Sequence, residues 1–317
     1  MGLLSLHQAI DALLTGEVVA IPTETVYGLA ASLHGPEAIE RIFVLKGRPR
    51  HNPLIVHVAD IEEARSLTLN WSPAAESLAK LWPGPLTLLL PRNPYEVPDS
   101  VTAGSPLVGI RIPSHPLCRE LLRQTGPLVA PSANLSGRPS ASQAGHVLED
   151  FRGKVGVLDG GPCEAGLEST IILVEETPRI VRLGALSKEW IEELTGLTIS
   201  HVMRELAPDE KPICPGQLLR HYAPRCRLQP LSLSTPPVGG LVLGFKERFY
   251  DSAEVWDLGS LESPDLTARA LYHLLRELDR LGREEAWYDD RLPFGGLWDT
   301  ITERLSRAAS QSGLVLL

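Results

Sequence analysis

At 317 residues the chain is long for one small domain and has room for two. Apolar residues at 43% and charged residues at 22% are ordinary for a globular protein that buries a sizeable core. A formal net charge of −9 argues against a general binder of nucleic acid or membrane surface, which needs a basic face.

Leucines and Ile10 recur at helical spacing from Leu3 to Leu14, before Gly16, which predicts an amphipathic opening helix. Val18–Pro22 reads as a short buried strand running into Thr23-Glu24-Thr25-Val26-Tyr27-Gly28. Pro36 to Leu45 reads as a helix with Ile39, Ile42 and Phe43 on one face, and Leu54–Val58 as a β-branched strand. Ala74–Leu81 is a predicted helix, closed by Pro83-Gly84-Pro85, which cannot continue it. Leu86–Leu90 and Val108–Ile112 follow as strands, then a helix over Pro116–Arg123. Further strands are expected at Leu128–Ala130, Val155–Leu158 and Ser169–Val174. Irregular alternation of this kind predicts a mixed α/β domain built on a twisted sheet, occupying residues 1–200.

From 201 to 237 the apolar periodicity is lost and prolines recur at 208, 212, 215, 224, 230, 236 and 237. This reads as a semi-rigid linker, and at roughly 35 residues it exceeds ordinary connections, which points to a functional segment. A small α/β, Rossmann-like unit is expected over 238–317, beginning with a strand at Gly240–Gly244. Ser263 and Pro264 start a helix that Gly282 ends, with Leu271, Leu274, Leu275, Leu278 and Leu281 as its buried stripe. Glu285–Tyr288 reads as a strand and Thr300–Ala309 as the last helix. Cys118, Cys163, Cys214 and Cys226 form no CxxC pair, so free thiols in a reducing compartment are expected. No leader pattern and no membrane-length apolar run is present, which makes the cytoplasm the expected location.

Against the acidic whole, the stretch Arg41–Ala59 holds four Lys or Arg, two His and no carboxylate. Within it, Lys46-Gly47-Arg48-Pro49-Arg50-His51-Asn52-Pro53 places three cations on a path set by glycine and proline. Such a loop can wrap a triphosphate, with guanidinium groups pairing phosphate oxygens. A solvated surface loop explains the same residues about as well. Pro131-Ser132-Ala133-Asn134-Leu135-Ser136-Gly137 follows a short strand, where α/β sheets commonly place ligands; a Ser/Asn turn satisfying its own backbone is the plainer alternative. Gly166-Leu167-Glu168-Ser169-Thr170 offers similar groups before another strand. No Walker loop and no GxGxxG occurs. Nor does spacing reveal a nucleophile triad.

Taken in order, these segments resemble the threonylcarbamoyl-AMP synthase family, the YrdC-like proteins. The resemblance runs through Pro22–Gly28, Lys46–Pro49, Asn52–His57, Trp82-Pro83-Gly84-Pro85-Leu86-Thr87 and Val108–Pro113. It continues in Pro131–Gly137 and Glu168-Ser169-Thr170-Ile171. Pro215-Gly216 and Arg220-His221-Tyr222-Ala223-Pro224 are similar to the linker of the long form, which carries an additional C-terminal domain. The chain departs from the family pattern at Cys214, usually Ser, and at Leu173, where Asp is common.

The resemblance implies a YrdC-like twisted mixed sheet with flanking helices, and the KxR…SxN signature on Lys46, Arg48, Ser132 and Asn134 as the catalytic set. It implies ATP contacts from Arg48, Asn52, Asn134, Ser142, Arg182 and Tyr222, with the linker closing over the pocket. It implies L-threonine contacts from Thr25, His57, Arg111, Ser132 and Ser169. The implied activity is a nucleotidyl transfer that makes threonylcarbamoyl-AMP and pyrophosphate from L-threonine, bicarbonate and ATP, with Mg2+ accompanying ATP and no protein metal ligand identified. The product would pass to the machinery that transfers threonylcarbamoyl to tRNA next to the anticodon, with at most a weak RNA contact and no membrane. Two alternatives are a non-catalytic RNA-binding module and a related carbamoyl-transfer enzyme. The first would show salt-dependent RNA binding without ATP turnover; the second carries zinc-binding CxxC pairs, absent from this sequence.

Overall fold

The computed structural model describes residues 2–201, 212–216, 222–251 and 253–313. Among them, eleven strands form one mixed sheet. Its order is Leu3–Leu4, Gly156–Leu158, Val19–Ile21, Gly28–Ser32, Leu128–Val129, Ile55–His57, Leu107–Arg111, Leu86–Pro91, Thr170–Leu173, Arg179–Arg182 and Ser200–His201. Both faces are covered, which explains why its strands read as unbroken apolar runs rather than alternating ones. Ala20, Leu29, Ala31, Val56 and Val129 join one core with Ile39, Ile42 and Phe43 of the helix Pro36–Lys46. Their neighbours Val19, Ile21, Ala30 and Leu128 turn the other way, against Ile10 and Leu13 of the helix Leu6–Leu14 and Leu121 and Leu122 of Pro116–Thr125. Farther along the sheet, Ile55, Leu89, Ile171 and Leu173 are covered by Ile213 and Cys214 from the proline-rich segment.

A second sheet of four parallel strands has the order Arg227–Pro230, Glu285–Tyr288, Leu241–Gly244, Glu254–Asp257. Arg227–Pro230 lies inside the stretch read as linker, so regular structure of the small unit begins before residue 238. The sequence Arg-Leu-Gln-Pro has no alternation to announce a strand; its pairing comes from Glu285–Tyr288, more than fifty residues away. Residues 202–211 and 217–221, including Arg220 and His221 of the linker motif, lie outside the described residues.

The two units share a buried seam. The helix Pro264–Arg280 turns Leu271, Leu275 and Leu278 into the core of the small unit. Leu281, expected on that stripe, is half exposed beyond the helix end. A second face of the same helix meets the large unit. Arg276, 2% exposed, pairs with Asp150 at 2.8 Å and donates to the Pro139 carbonyl at 2.7 Å and the Ser140 carbonyl at 3.2 Å. Val26, Leu167 and Tyr222 in turn pack into the core of the small unit. The last helix, Leu297–Gln311, starts earlier than the expected Thr300 and lies beside Gly184, whose carbonyl accepts from Thr300 Oγ1 at 2.9 Å. A side chain at Gly184 would collide with the backbone of Ser169 and Thr170, so a tight crossing brings the seam close to the strand Thr170–Leu173. Among the described residues no helix is long and apolar enough to cross a membrane.

Candidate functional site

A cleft lined by polar and charged side chains lies over adjacent strands of the large sheet. Two motifs distant in sequence are zipped together beneath it. The amide of Leu29 donates to the Pro131 carbonyl at 2.7 Å, and that of Ala133 to the Tyr27 carbonyl at 2.6 Å. Thr25, Arg48, His57, Arg111, Ser132, Asn134, Ser169, Arg182 and Tyr222 all border the cleft. Lys46, Asn52 and Ser142 do not.

Lys46 departs most from its expected role of facing the phosphates. Gly47, at φ 60°, ends the helix Pro36–Lys46 in the left-handed conformation. The Lys46 ammonium is buried and donates to the carbonyls of Ser132 and Asn134. Burial, followed by the charge of Arg48, pushes its pKa well below the ordinary lysine value. Lys46 therefore ties the KxR segment to the SxN segment from behind, with its head group already committed. Arg48 emerges on the cleft side, its guanidinium donating to the carbonyls of Asn52 at 3.2 Å and Pro53 at 2.7 Å. Burial and the nearby charge of Arg182 lower its pKa to about 9. Asn52 is buried with neither amide atom hydrogen-bonded. Asn134 spends its amide N–H groups on the carbonyls of Leu135 and Arg138, leaving its oxygen without a partner. Ser142 sits behind the cleft, its backbone amide 3.2 Å from His146 Nδ1.

A second cluster surrounds Arg111. Its Nη1 donates to Thr25 Oγ1 at 2.8 Å, and Thr25 Oγ1 lies 2.7 Å from Thr23 Oγ1. Arg111 Nε donates to the Gly84 carbonyl at 3.3 Å. Its Nη2 stands 2.7 Å from Glu24 Oε1, an ion pair by distance but without hydrogen-bond alignment, so both Glu24 oxygens count as unbonded. Arg111 and His57 are register partners on neighbouring strands. Burial, then the charge of Arg111, lowers the His57 pKa to about 3, which leaves a neutral imidazole whose Nδ1 has no partner. Ser169 Oγ lies 2.7 Å from Thr87 Oγ1, and Arg182 Nη2 donates to it at 3.1 Å. Burial lowers the pKa of Arg182.

Further polar groups border the cleft without having been predicted for it, among them Thr23, Tyr27, Arg138, Ser140 and Glu168. Glu168 stood inside a quoted motif, so a signal existed, but nothing local distinguished it from the neighbouring hydroxyls. Pro215, Gly216 and Tyr222 of the proline-rich segment complete the rim. Arg182 Nη1 donates to the Pro215 carbonyl at 3.3 Å, and Arg307 Nη1 of the last helix to the Gly216 carbonyl at 2.6 Å. Among the described residues no cluster of three His, Cys, Asp or Glu is placed to hold a metal ion.

Such a cleft can take an anionic ligand beside Arg48 and Arg182 and a carboxylate beside Arg111. Hydroxyls and a neutral imidazole lie between them.

Residues 11–184 match the Sua5/YciO/YrdC family model, described as telomere recombination. Residues 186–310 match the model described as threonylcarbamoyl-AMP synthase, C-terminal domain. The threonylcarbamoyl-AMP synthase of Bacillus subtilis is 40% identical over 95% of this chain and 92% of its own length. That of Pyrococcus abyssi is 40% identical over 84% of this chain and 83% of its own. A crystal structure of P. abyssi Sua5 complexed with L-threonine superposes with a TM-score of 0.87 at 34% identity, covering 98% of this chain and 97% of that one.

Proposed function

The chain belongs to the threonylcarbamoyl-AMP synthase family, and from that premise we propose that its cleft makes threonylcarbamoyl-AMP from L-threonine, bicarbonate and ATP by nucleotidyl transfer. The observation that carries this reading is the gathering of nine expected ligand residues on one cleft, beside buried polar atoms that have no partner in the protein. Buried polar groups are otherwise almost always hydrogen-bonded, so such orphans point to a ligand.

The threonine amine takes up bicarbonate with loss of water, giving a carbamate. A carbamate oxygen then bonds to the α-phosphorus of ATP while the bond to the leaving pyrophosphate breaks. No protein nucleophile takes part; alignment and charge neutralisation do the work. Arg111 pairs the threonine carboxylate, held in place by Thr25, the Gly84 carbonyl and Glu24. Neutral His57 binds threonine as a hydrogen-bonding group and carries no charge at physiological pH. Ser132 and Ser169 add hydroxyls on the threonine side. Arg48 and Arg182 lie beside the phosphates, with Asn52, Asn134 and Ser142 placed within or just behind that wall. Lys46 serves as the brace between the two motifs. Among the described residues no cluster of three His, Cys, Asp or Glu is placed to hold a metal ion, and the carboxylate of Glu168 is engaged by Ser140, Tyr272 and Arg304. Mg2+ would enter with the triphosphate and would supply neutralisation of phosphate charge there.

We assign this chemistry to the unit within residues 1–200, with Tyr222 of the linker covering the pocket. The product would feed the transfer of threonylcarbamoyl to tRNA. The four cysteines are free and buried, which suits a cytoplasmic setting. The test is pyrophosphate release by the full chain with ATP, Mg2+ and isotopically labelled bicarbonate, with and without threonine. Threonine-dependent release and one labelled carbon per AMP adduct are expected. Pyrophosphate release indifferent to threonine, or an adduct without the label, would overturn the proposal.

A further inference from the structure

Of the described residues bordering the cleft, Glu168 alone is acidic; it shares the wall with Arg48, Arg111, Arg138 and Arg182. A buried carboxylate beside a triphosphate site repels the ligand unless its charge is met locally. Three groups meet it. Ser140 Oγ donates to Oε1 at 2.6 Å, Tyr272 OH to Oε2 at 2.9 Å, and Arg304 Nε to Oε2 at 3.1 Å. Two of the three belong to the small unit, and among the described residues Arg304 brings the only positive charge in direct contact. Arg304 is itself 1% exposed and donates through Nη2 to the Leu183 carbonyl at 2.7 Å. Its guanidinium carbon also lies 4.6 Å from the ring centre of Tyr222, which stacks on Tyr272 at 5.6 Å.

We propose that Arg304 is a positioning residue of the cleft: from the small unit it neutralises Glu168 and supports the Tyr222 ring, and so sets the affinity of the cleft for a nucleoside triphosphate. The identity of that ligand rests on the synthase reading above. Burial would raise the Glu168 pKa, but Arg304, then Arg182, then the Ser140 hydrogen bond outweigh it and hold the carboxyl below its usual range. Among the described residues, those two guanidiniums face it with Tyr272 and Tyr222, Arg304 pairs in addition with Glu303, and Arg307 stands beside Glu303 and Tyr222. The small unit is thereby part of the binding apparatus, and the seam between units transmits its position to the cleft wall.

The charge argument makes a sign-specific prediction that a merely structural role does not. ATP binding is measured by calorimetry on the full chain, with folding checked by thermal unfolding. Arg304→Met leaves Glu168 buried and uncompensated, and ATP affinity at pH 8 should fall about tenfold or more. Glu168→Gln alone should bind ATP at least as tightly as the parent. Adding Glu168→Gln to Arg304→Met should restore most of the lost affinity, and lowering the pH to 6 should partly restore Arg304→Met as Glu168 takes up a proton. If Arg304→Met does not fold, Arg304→Gln and Arg304→Lys replace it, with the lysine variant the tighter binder. A double variant no better than Arg304→Met, in a parent that makes the product, overturns the inference. A parent that binds ATP but shows no threonine-dependent pyrophosphate release overturns the synthase reading instead, leaving the charge test to be read on ATP alone.

Discussion

Buried charge at the seam between the units and buried polarity around the cleft are built differently. At the seam, the Asp150 carboxylate lies 2.8 Å from Arg276 and 2.6 Å from Arg138 and also accepts from the Leu135 amide at 3.2 Å. Asp279 accepts from the amides of Arg225 at 2.7 Å and Cys226 at 3.0 Å, and its other oxygen has two guanidiniums at 3.5 Å. In and behind the cleft, the side chains of Asn52, His57, Asn134 and Glu24 hold polar atoms with no hydrogen-bond partner. Buried charge facing opposite charge fixes how the units dock, even where Asp279 Oδ2 meets its guanidiniums without hydrogen-bond alignment. Unsatisfied buried polarity is costly to keep, and its cost is recovered when a ligand supplies the missing partners.

The comparison breaks most visibly in stability. Arg276→Met removes one partner of a buried ion pair and should cost about 3–5 kcal/mol in denaturant unfolding. Combining it with Asp150→Leu should give back part of that loss, because Asp150 no longer lies buried without Arg276, while Arg138 keeps Asp279 at 3.5 Å. If the single variant costs under about 1 kcal/mol, the seam is not held by charge.

A substitution just behind the cleft wall should do the reverse. Asn52→Ala deletes an amide that bonds nothing in the protein, so unfolding free energy should change by less than about 1 kcal/mol. ATP affinity should fall by about tenfold, the worth of one hydrogen bond to a charged ligand. Loss of stability with ATP affinity intact would place Asn52 with the seam residues.

The smallest effect concerns pH. Burial holds both His57 and His146 at about 3, below the unfolded value of roughly 6.5. The unfolded chain therefore takes up protons that the folded chain refuses, and stability contributed by these groups above pH ~6.5 is lost progressively as pH falls toward 3. His146→Gln should flatten the fall of melting temperature between pH 6.5 and 4 relative to the parent. An unchanged slope would mean that His146 titrates normally in the folded chain.

Much of the site was legible because its chemistry is contiguous. Arg48 and Asn52 lie on one short loop, and Ser132 and Asn134 on another, each set beside a recognisable strand. The role of Lys46 was not legible. Whether a lysine head group faces a ligand or two carbonyls depends on where Ser132 and Asn134 come to rest, 86 and 88 residues along the chain. The strand Gly28–Ser32 was hidden by its small residues, Gly-Leu-Ala-Ala-Ser, which have little strand preference and are held by pairing with Val19–Ile21 and Leu128–Val129. The helix Pro264–Arg280 announced its leucine stripe, yet its second face is polar. Tyr272, Arg276 and Asp279 look like solvated positions until a second unit covers them. Arg304 is hidden for the same reason, 136 residues from Glu168 on an ordinary amphipathic helix.

The central claim is that one cleft holds two substrates on different arginines, and direct binding of each to two variants tests it. Arg48→Ala should lose ATP affinity by tenfold or more and keep threonine within about twofold. Arg111→Lys keeps a charge beside Glu24 but not the planar fork, and should lose threonine by about tenfold while keeping ATP. Variants that lose both ligands equally, or neither, would contradict the account.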